Sequence, residues 1–158
     1  MKNGFRLPLI VFFCIAVISC TKQNDTAVQP TPVIKSIETM LSDTTWKLQE
    51  ARFLQNTSGD FTYYNRGITS NGNIYDIDSI HFNMDYTGKY SNSGGTNSFT
   101  WKFLDAEKTK LTITFPVNNF TVNWENLNVT VSAVRYTEYY TEQSSGLKSE
   151  GAFFRTPR

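Results

Sequence analysis

The chain has 158 residues, 39% of them hydrophobic and 15% aromatic, with 15 basic against 14 acidic side chains. This length allows one domain with its own core and is too short for two comfortable ones. The near-neutral charge gives no electrostatic reason to expect binding to nucleic acid or to an anionic membrane surface.

The first 19 residues predict an export signal. Lys2 and Arg6 form a basic start, and residues 7–19 are almost uninterruptedly apolar. Such a stretch suits a signal peptide and is too short to span a bilayer comfortably. An uncleaved anchor helix and a signal cut elsewhere are the alternatives. Removal of residues 1–19 would leave 13 basic against 14 acidic residues, a net charge of −1.

A lipid attachment site is predicted where the apolar stretch ends. Residues 17–20, Val-Ile-Ser-Cys, resemble a bacterial lipobox, in which the cysteine thiol is acylated and becomes the new N-terminus. We therefore predict that Cys20 is lipidated and that the protein is an outer-membrane lipoprotein, on the periplasmic face or at the cell surface. Cys20 would be the single cysteine of the mature chain, so no intramolecular disulfide is expected.

Residues 20–36 predict a lipidated, flexible tether. Residues 29–32, Gln-Pro-Thr-Pro, and their small polar neighbours favour extended backbone. A short helical turn is predicted next, because Ile34, Ile37 and Leu41 share helical spacing. Residues 37–158 are then predicted to form a single β domain.

From residue 46 onward apolar and polar side chains alternate with the period of a β-strand. About eight short strands, at roughly 8–12-residue spacing and with turn signals between them, predict an all-β antiparallel up-and-down meander. A meander of this size avoids exposed edges by closing into a barrel, and a two-sheet β-sandwich is the alternative. Strands are predicted at 46–54, 61–64, 80–84, 89–91, 99–103, 111–115, 127–133, 136–142 and 151–155.

The clearest hairpin joins residues 99–103 to residues 111–115 across a polar turn. Its large apolar side chains alternate with Thr and Lys, so they fall on one face of the two paired strands. A register slip of one residue would turn all of them to water, which makes this pairing tightly specified. We expect Trp101 to lie in the core with Phe103, Leu111 and Ile113.

Three stretches carry a resemblance to a known family: residues 44–48 (TTWKL), residues 80–90 (IHFNMDYTGKY), and residues 99–103 (FTWKF) leading to residues 110–113 (KLTI). Together they resemble the small lipocalin-like lipoproteins of Bacteroidota. The resemblance implies a barrel or calyx that takes a small apolar ligand, usually without catalysis. It also implies that an arginine from a late strand, Arg135 or Arg155, stacks on Trp46.

The strand phase of that barrel predicts which side chains would line a cavity. We expect a small apolar or glycan-derived ligand. The alternative is an interior packed shut by aromatic side chains, in a non-catalytic structural or interaction lipoprotein whose loops meet an envelope protein. In either case we expect a monomer. The predicted lining residues are Phe82, Met84, Trp101, Phe103, Ile113 and Phe115.

Catalysis is not predicted. His81 is the one histidine, and its alternation with Ile80 and Phe82 places it on the opposite face from the apolar residues. No nucleophile-elbow pattern surrounds a serine. Glu138 and Glu142 lie four residues apart and give no sign of a glycosidase pair. We therefore expect no enzyme activity and no cofactor.

A metal site is not predicted either. One histidine and no free mature cysteine exclude a zinc site of ordinary composition. Asn71, Asn73, Asp76 and Asp78 could hold calcium weakly, but their spacing lacks the EF-hand order, and turn formation explains them better. In the tether, residues 25–27 (Asp-Thr-Ala) resemble the short O-glycosylation signal of exported Bacteroidota proteins, and the sequence leaves open whether Thr26 is modified.

Overall fold

The computed structural model describes residues 34–55, 61–68, 73–117, 119–141 and 148–158. Cys20, the tether before Ile34 and the possible glycosylation signal at residues 25–27 lie outside the described residues. Within the described ranges, no helix has the length and apolar character needed to cross a membrane.

The described chain contains one short helix and nine strands. A 3₁₀ turn at Asn73–Tyr75 lies between the second and third strands. In chain order the elements are α1 (Ile37–Ser42), β1 (Thr45–Gln55), β2 (Phe61–Asn65), β3 (Ser79–Phe82), β4 (Thr87–Asn92), β5 (Gly95–Phe103), β6 (Leu111–Phe115), β7 (Phe120–Thr130), β8 (Ala133–Thr141) and β9 (Lys148–Pro157).

Eight of the strands form a closed antiparallel barrel. Strands β3 to β9 pair in sequence order, and β1 pairs with β3 on one side and β9 on the other. The remaining strand, β2, extends the sheet by pairing with residues 50–54 of β1. The predicted all-β meander closing into a barrel is therefore confirmed, and the sandwich alternative is wrong.

The hairpin of β5 and β6 has the predicted register. Trp101 faces Ile113, and Phe103 faces Leu111, so the large side chains share the inner face of the barrel. Trp101, Leu111 and Ile113 are buried, and Phe103 packs against them while partly buried. The Trp101 indole nitrogen donates a 3.0 Å hydrogen bond to the Thr87 carbonyl oxygen, which satisfies its polar atom inside the core.

Two β-bulges shift which residues point inward. One lies between Leu48 and Glu50 of β1, opposite β9. The other lies between Glu125 and Asn128 of β7, where Asn126 has a left-handed φ of 52°. A bulge adds one residue to its strand and so reverses the alternation beyond it. In β7 the buried residues are Val122 and Trp124 before the bulge and Leu127 after it.

Two predicted strands end earlier than expected. The predicted strand 127–133 is wrong because β7 ends at Thr130 and residues 131–132 form a turn, where Val131 is 69% exposed. The predicted strand 80–84 is also too long, since β3 ends at Phe82 and residues 84–85 form a turn.

One end of the barrel is closed by α1. Ser36 caps this helix by accepting a hydrogen bond from the Thr39 backbone N–H at 3.2 Å. Leu41 is fully buried, and its carbonyl oxygen accepts a 2.8 Å hydrogen bond from the Trp46 indole. Glu38 pairs with Lys108 in the turn between β5 and β6, which lowers the pKa of the Glu38 carboxyl. The helix is thus fixed to the barrel by both packing and charge.

Candidate functional site

The other end of the barrel interior holds a cavity of about 430 Å³. This volume falls within the ordinary range of small-molecule pockets. The cavity lies beside the β4–β5 and β6–β7 turns and extends to the surface, because Val117, 87% exposed, contributes to its wall. Its wall is mainly apolar, and its aromatic residues include Tyr75, Phe115, Phe120, Tyr140 and Phe153.

Buried charged groups form the floor of this cavity. Arg155 and Asp78 are 4% and 5% exposed, and Arg155 Nη1 donates to Asp78 Oδ1 at 2.6 Å. Arg155 Nε donates to the Tyr136 hydroxyl oxygen at 2.8 Å, and the Tyr90 hydroxyl donates to Asp78 Oδ2 at 2.5 Å. Both carboxylate oxygens of Asp78 therefore accept a hydrogen bond, as a buried charge requires.

The local structure explains how these two charged side chains meet. Arg155 lies opposite Leu48 of β1 and Val134 of β8, two buried residues that share the inner face. Asp78 comes one residue before β3. Its backbone N–H donates to the Tyr75 carbonyl oxygen at 3.1 Å, and its own carbonyl accepts from the Leu48 N–H at 3.2 Å. These bonds hold the Asp78 side chain at the barrel interior.

Arg155, Tyr90 and Tyr136 each keep one protonation state at neutral pH. Burial acts to lower the pKa of Arg155, but the Asp78 carboxylate and the nearby Tyr136 and Tyr90 hydroxyls outweigh it and raise that pKa. Burial raises the pKa of Tyr90 and of Tyr136 above their ordinary value. Arg155 therefore stays charged, and both tyrosines stay neutral hydrogen-bonding groups.

Glu138 of β8 adds a carboxyl group to the same cavity. Its Oε2 accepts a 2.8 Å hydrogen bond from the indole nitrogen of Trp124, whose ring stacks on Tyr136 at 3.6 Å. Burial raises the pKa of Glu138 to about 7, against the lowering effect of the Trp124 hydrogen bond and of the Arg155 charge. Glu138 therefore changes its protonation state near neutral pH.

The structure places the sequence-predicted lining residues in three locations: the cavity wall, the filled half of the barrel and an exposed turn. Ile113 and Phe115 line the cavity. Phe82, Trp101 and Phe103 instead pack in the filled half, where Phe82 and Trp101 meet edge to face with ring centroids 5.3 Å apart.

Met84 does not point into the barrel. It lies in the turn after β3 and is 59% exposed. The expectation that it lines the interior is wrong because β3 ends two residues before it, so the strand alternation does not continue to this position.

The other candidate residues have structural partners. His81 is half-buried on the outer face of β3, with its Nδ1 3.1 Å from the Thr44 carbonyl oxygen. Asp76 accepts a 2.7 Å hydrogen bond from the Tyr64 hydroxyl, while Asp78 belongs to the cavity floor. Asn71 and the Asn73 side chain lie outside the described residues. Across the part of the chain that the structure describes, no group of three potential metal ligands is present.

The arginines take other aromatic partners than the resemblance implies. Arg135 lies 3.9 Å from the ring centroid of Phe154, and Arg155 lies 6.0 Å from that of Tyr136. Trp46 instead uses its indole nitrogen to hold the α1 carbonyl of Leu41. The buried late-strand arginine is present, but it contributes to the cavity floor.

Sequence reasoning missed the floor residues, although two of them carried a signal. On β8, Glu138 continues the alternation that turns the Val134 and Tyr136 side chains inward. A charged residue among inward-facing apolar positions indicates a functional group. Arg155 similarly follows the phase of Gly151 and Phe153 on β9.

Comparisons with known proteins assign no family. No family model matches this chain, and no curated protein matches it. Among solved structures, it is similar to a DUF4847 family protein from Bacteroides vulgatus ATCC 8482, with 15% identity, a TM-score of 0.45, and coverage of 74% of this chain and 96% of that one. It is also similar to a redesigned beta barrel, with 16% identity, a TM-score of 0.40, and coverage of 80% and 99%. Neither similarity carries information about what this chain binds.

Proposed function

We propose that this protein is an envelope-anchored lipoprotein whose lipocalin-like barrel binds one small, mainly apolar ligand. The observation that carries the proposal is the buried polar floor at the bottom of an aromatic-walled cavity of about 430 Å³. Ligand sites commonly combine an apolar wall with a few fixed polar groups that set orientation. The ligand would place its apolar body against the wall and its polar part toward Glu138 and the Arg155–Asp78 pair.

The cavity also favours binding over the filled-barrel alternative. Aromatic side chains fill the end closed by α1, and the opposite half contains the cavity. Asn92 and Asn97 line it near the β4–β5 turn, where their amides would bond hydroxyl groups of a glycan-derived ligand. A barrel that only presented loops to a protein partner would not require this cavity.

We propose binding without catalysis. The Arg155 and Asp78 side chains bond to each other and to tyrosines, so they act as a fixed floor. The one histidine of the chain lies on the outer face of β3, away from the cavity. No step of acid–base or nucleophilic chemistry is needed to account for these residues.

The envelope location rests on the sequence of residues 1–20. A signal peptide ending at a lipidated Cys20 would hold the protein to the outer membrane, and a net charge of −1 in the mature chain gives no reason for nucleic-acid binding. We propose that the mature protein is a monomer in which the lipid, rather than the barrel surface, provides membrane attachment.

The binding proposal is tested by titration with N-phenyl-1-naphthylamine, an uncharged apolar dye whose fluorescence rises when it leaves water. The protein is residues 20–158 carrying Cys20→Ser, which is the mature chain without its lipid. Saturable binding of one dye per chain at about micromolar concentration is expected. Absence of saturable binding would contradict the proposal and favour the interaction-module alternative.

A matched pair of variants locates the dye. Asn97 lies opposite Tyr90 and lines the cavity, whereas its neighbour Ser98 lies opposite Lys89 and alternates to the outer face. Asn97→Trp should obstruct the cavity and weaken dye binding about tenfold or more. Ser98→Trp adds the same side chain outside and should leave binding unchanged. Equal effects of the two substitutions would place the dye elsewhere.

A further inference from the structure

The cavity contains an unbalanced acidic group. Among the described lining residues, Arg155 is the one basic side chain, and it forms an ion pair with Asp78. Glu138 takes part in none of the ion pairs of the described residues. When Glu138 is ionised, the cavity therefore holds two carboxylates against one guanidinium. Glu138 is half-buried, and a partly buried charge without an ion-pair partner is destabilising; a ligand of opposite charge reduces that cost.

One Glu138 oxygen is available to a ligand. Oε2 accepts the hydrogen bond from Trp124, and within the described residues Oε1 has no hydrogen-bond partner. Arg155 directs its Nε and Nη1 to Tyr136 and Asp78 and not to Glu138. Glu138 therefore offers a hydrogen-bond acceptor in the cavity that the described part of the chain leaves open.

The cavity wall suits a cation with an apolar body. Phe115, Phe120 and Tyr140 form a row along the wall, with successive ring centroids 6.0 and 5.0 Å apart. The faces of aromatic rings attract organic cations, and cages of aromatic rings bind quaternary ammonium groups in this way. A nearby carboxylate adds a direct charge attraction. The same rings provide apolar surface for the rest of the ligand.

We propose that the cavity selects a small organic cation, with its ammonium group at Glu138 and its apolar body against Phe115, Phe120 and Tyr140. This rests on the proposed binding function and specifies the chemical class of the ligand. A carboxylate ligand is disfavoured, because Asp78 already balances the charge of the one guanidinium in the cavity and the acceptor on Glu138 is itself acidic. A neutral alcohol would gain the wall contacts without the charge interaction.

The pH dependence follows from the groups around Glu138. These are Trp124 from β7, Arg155 from β9, Asp78 before β3, and two neutral tyrosines, Tyr90 from β4 and Tyr136 from β8. Burial raises the pKa of Glu138 to about 7, so the empty cavity gains a proton below that pH. A bound cation would favour the ionised carboxylate. Affinity for a cation should therefore fall by up to about tenfold per pH unit below pH 7 and level off above it.

The test is displacement of N-phenyl-1-naphthylamine by decylamine, decanol and decanoate, which share one alkyl chain. At about pH 8 the amine is still charged, because alkyl ammonium groups titrate near 10.4. Decylamine should bind about tenfold or more tightly than decanol, and decanoate should bind most weakly. Equal affinities for decylamine and decanol would overturn the cation proposal while leaving the binding function intact.

Two variants assign the preference to Glu138. Glu138→Gln keeps the side-chain shape and removes the charge, so the ratio of decylamine affinity to decanol affinity should fall about tenfold. Glu150→Gln, on the exposed face of β9, is the matched control and should retain the advantage. An advantage that survives Glu138→Gln would overturn the proposal. If Glu138→Gln does not fold, the pH series on the unsubstituted protein decides, since affinity for decylamine that is flat between about pH 5 and 8 would also overturn it. If the dye and all three ligands fail to bind, the proposed function itself fails.

Discussion

The guanidinium of Arg155 lies 2.6 Å from the carboxylate of Asp78, across the barrel interior and between residues 77 positions apart in the chain. This ion pair joins β9, the last strand, to the segment that leads into β3. It also forms the floor of the cavity, so the same contact serves both the stability of the barrel and the chemistry of the site.

Asp78→Asn should destabilise the protein by about 3–5 kcal/mol, because it leaves the buried Arg155 charge without its counter-ion. Urea denaturation monitored by tryptophan fluorescence measures the change. The double variant Asp78→Leu/Arg155→Met, which removes both charges, should recover part of this loss. A double variant as unstable as the sum of its single variants would show that the two residues do not interact.

Trp101→Ala should lower the free energy of unfolding by about 3–5 kcal/mol, the range for removing a large aromatic side chain from a packed core. Trp101 packs edge to face against Phe82 and Phe103, with centroid distances of 5.3 and 5.5 Å. Val131→Ala, in the exposed β7–β8 turn, is the control and should change stability by less than about 0.5 kcal/mol. A thermal melt unaffected by Trp101→Ala would place Trp101 outside the core.

Glu138 should make stability depend on pH. Burial raises its pKa from the ordinary 4.5 to about 7, so between these values the folded protein binds more protons than the unfolded chain. The contribution of Glu138 to stability is therefore complete below about pH 4.5 and is lost as the pH rises through about 7. Glu138→Gln removes this dependence.

The measurement is the urea midpoint of the unsubstituted protein relative to Glu138→Gln at several pH values. The unsubstituted protein should lose stability relative to the variant between about pH 5 and pH 8. Glu150→Gln should follow the unsubstituted protein throughout. Parallel curves for Glu138→Gln and the unsubstituted protein would mean that Glu138 is not buried in a neutral form.

Cys20→Ser in the full chain should release a soluble protein or leave an unprocessed precursor. Each acyl CH₂ buried in the bilayer contributes about 0.8 kcal/mol, so two or three chains anchor the protein and their loss detaches it. Cell fractionation determines the location of the protein, and intact-mass measurement determines whether its signal peptide is removed. A variant that remains in the membrane fraction as a normally processed protein would exclude lipidation of Cys20 as the anchor.

The sequence predicted the barrel best where the alternation was uninterrupted. The β5–β6 hairpin is the clearest case, because one register alone buries both Trp101 and Ile113. The first half of β7 was not predicted. The bulge between Glu125 and Asn128 reverses the alternation, so the two halves of the strand do not share one apolar pattern in the sequence. Bulges depend on pairing with neighbouring strands, which local sequence does not specify.

The cavity was harder to predict than the barrel. Alternation identifies the inward face but does not separate the half filled by Phe82 and Trp101 from the half lined by Phe115. The packing of α1 against one end of the barrel contributes to that division, and it is a contact between distant parts of the fold. Asp78 lies outside the strands, so strand alternation could not predict that its side chain faces the interior. Its role depends on contact with Arg155 from the far end of the chain.

The central claim, that the cavity takes a small apolar or amphiphilic ligand, is tested most directly by locating a bound probe. Intermolecular nuclear Overhauser effects between decylamine and the protein, residues 20–158 with Cys20→Ser, would give its position. We expect contacts from the alkyl chain to Phe115, Phe120 and Tyr140 in the cavity. Contacts confined to Met84, Tyr86 and Leu104, which are exposed in turns outside the cavity, would contradict the account.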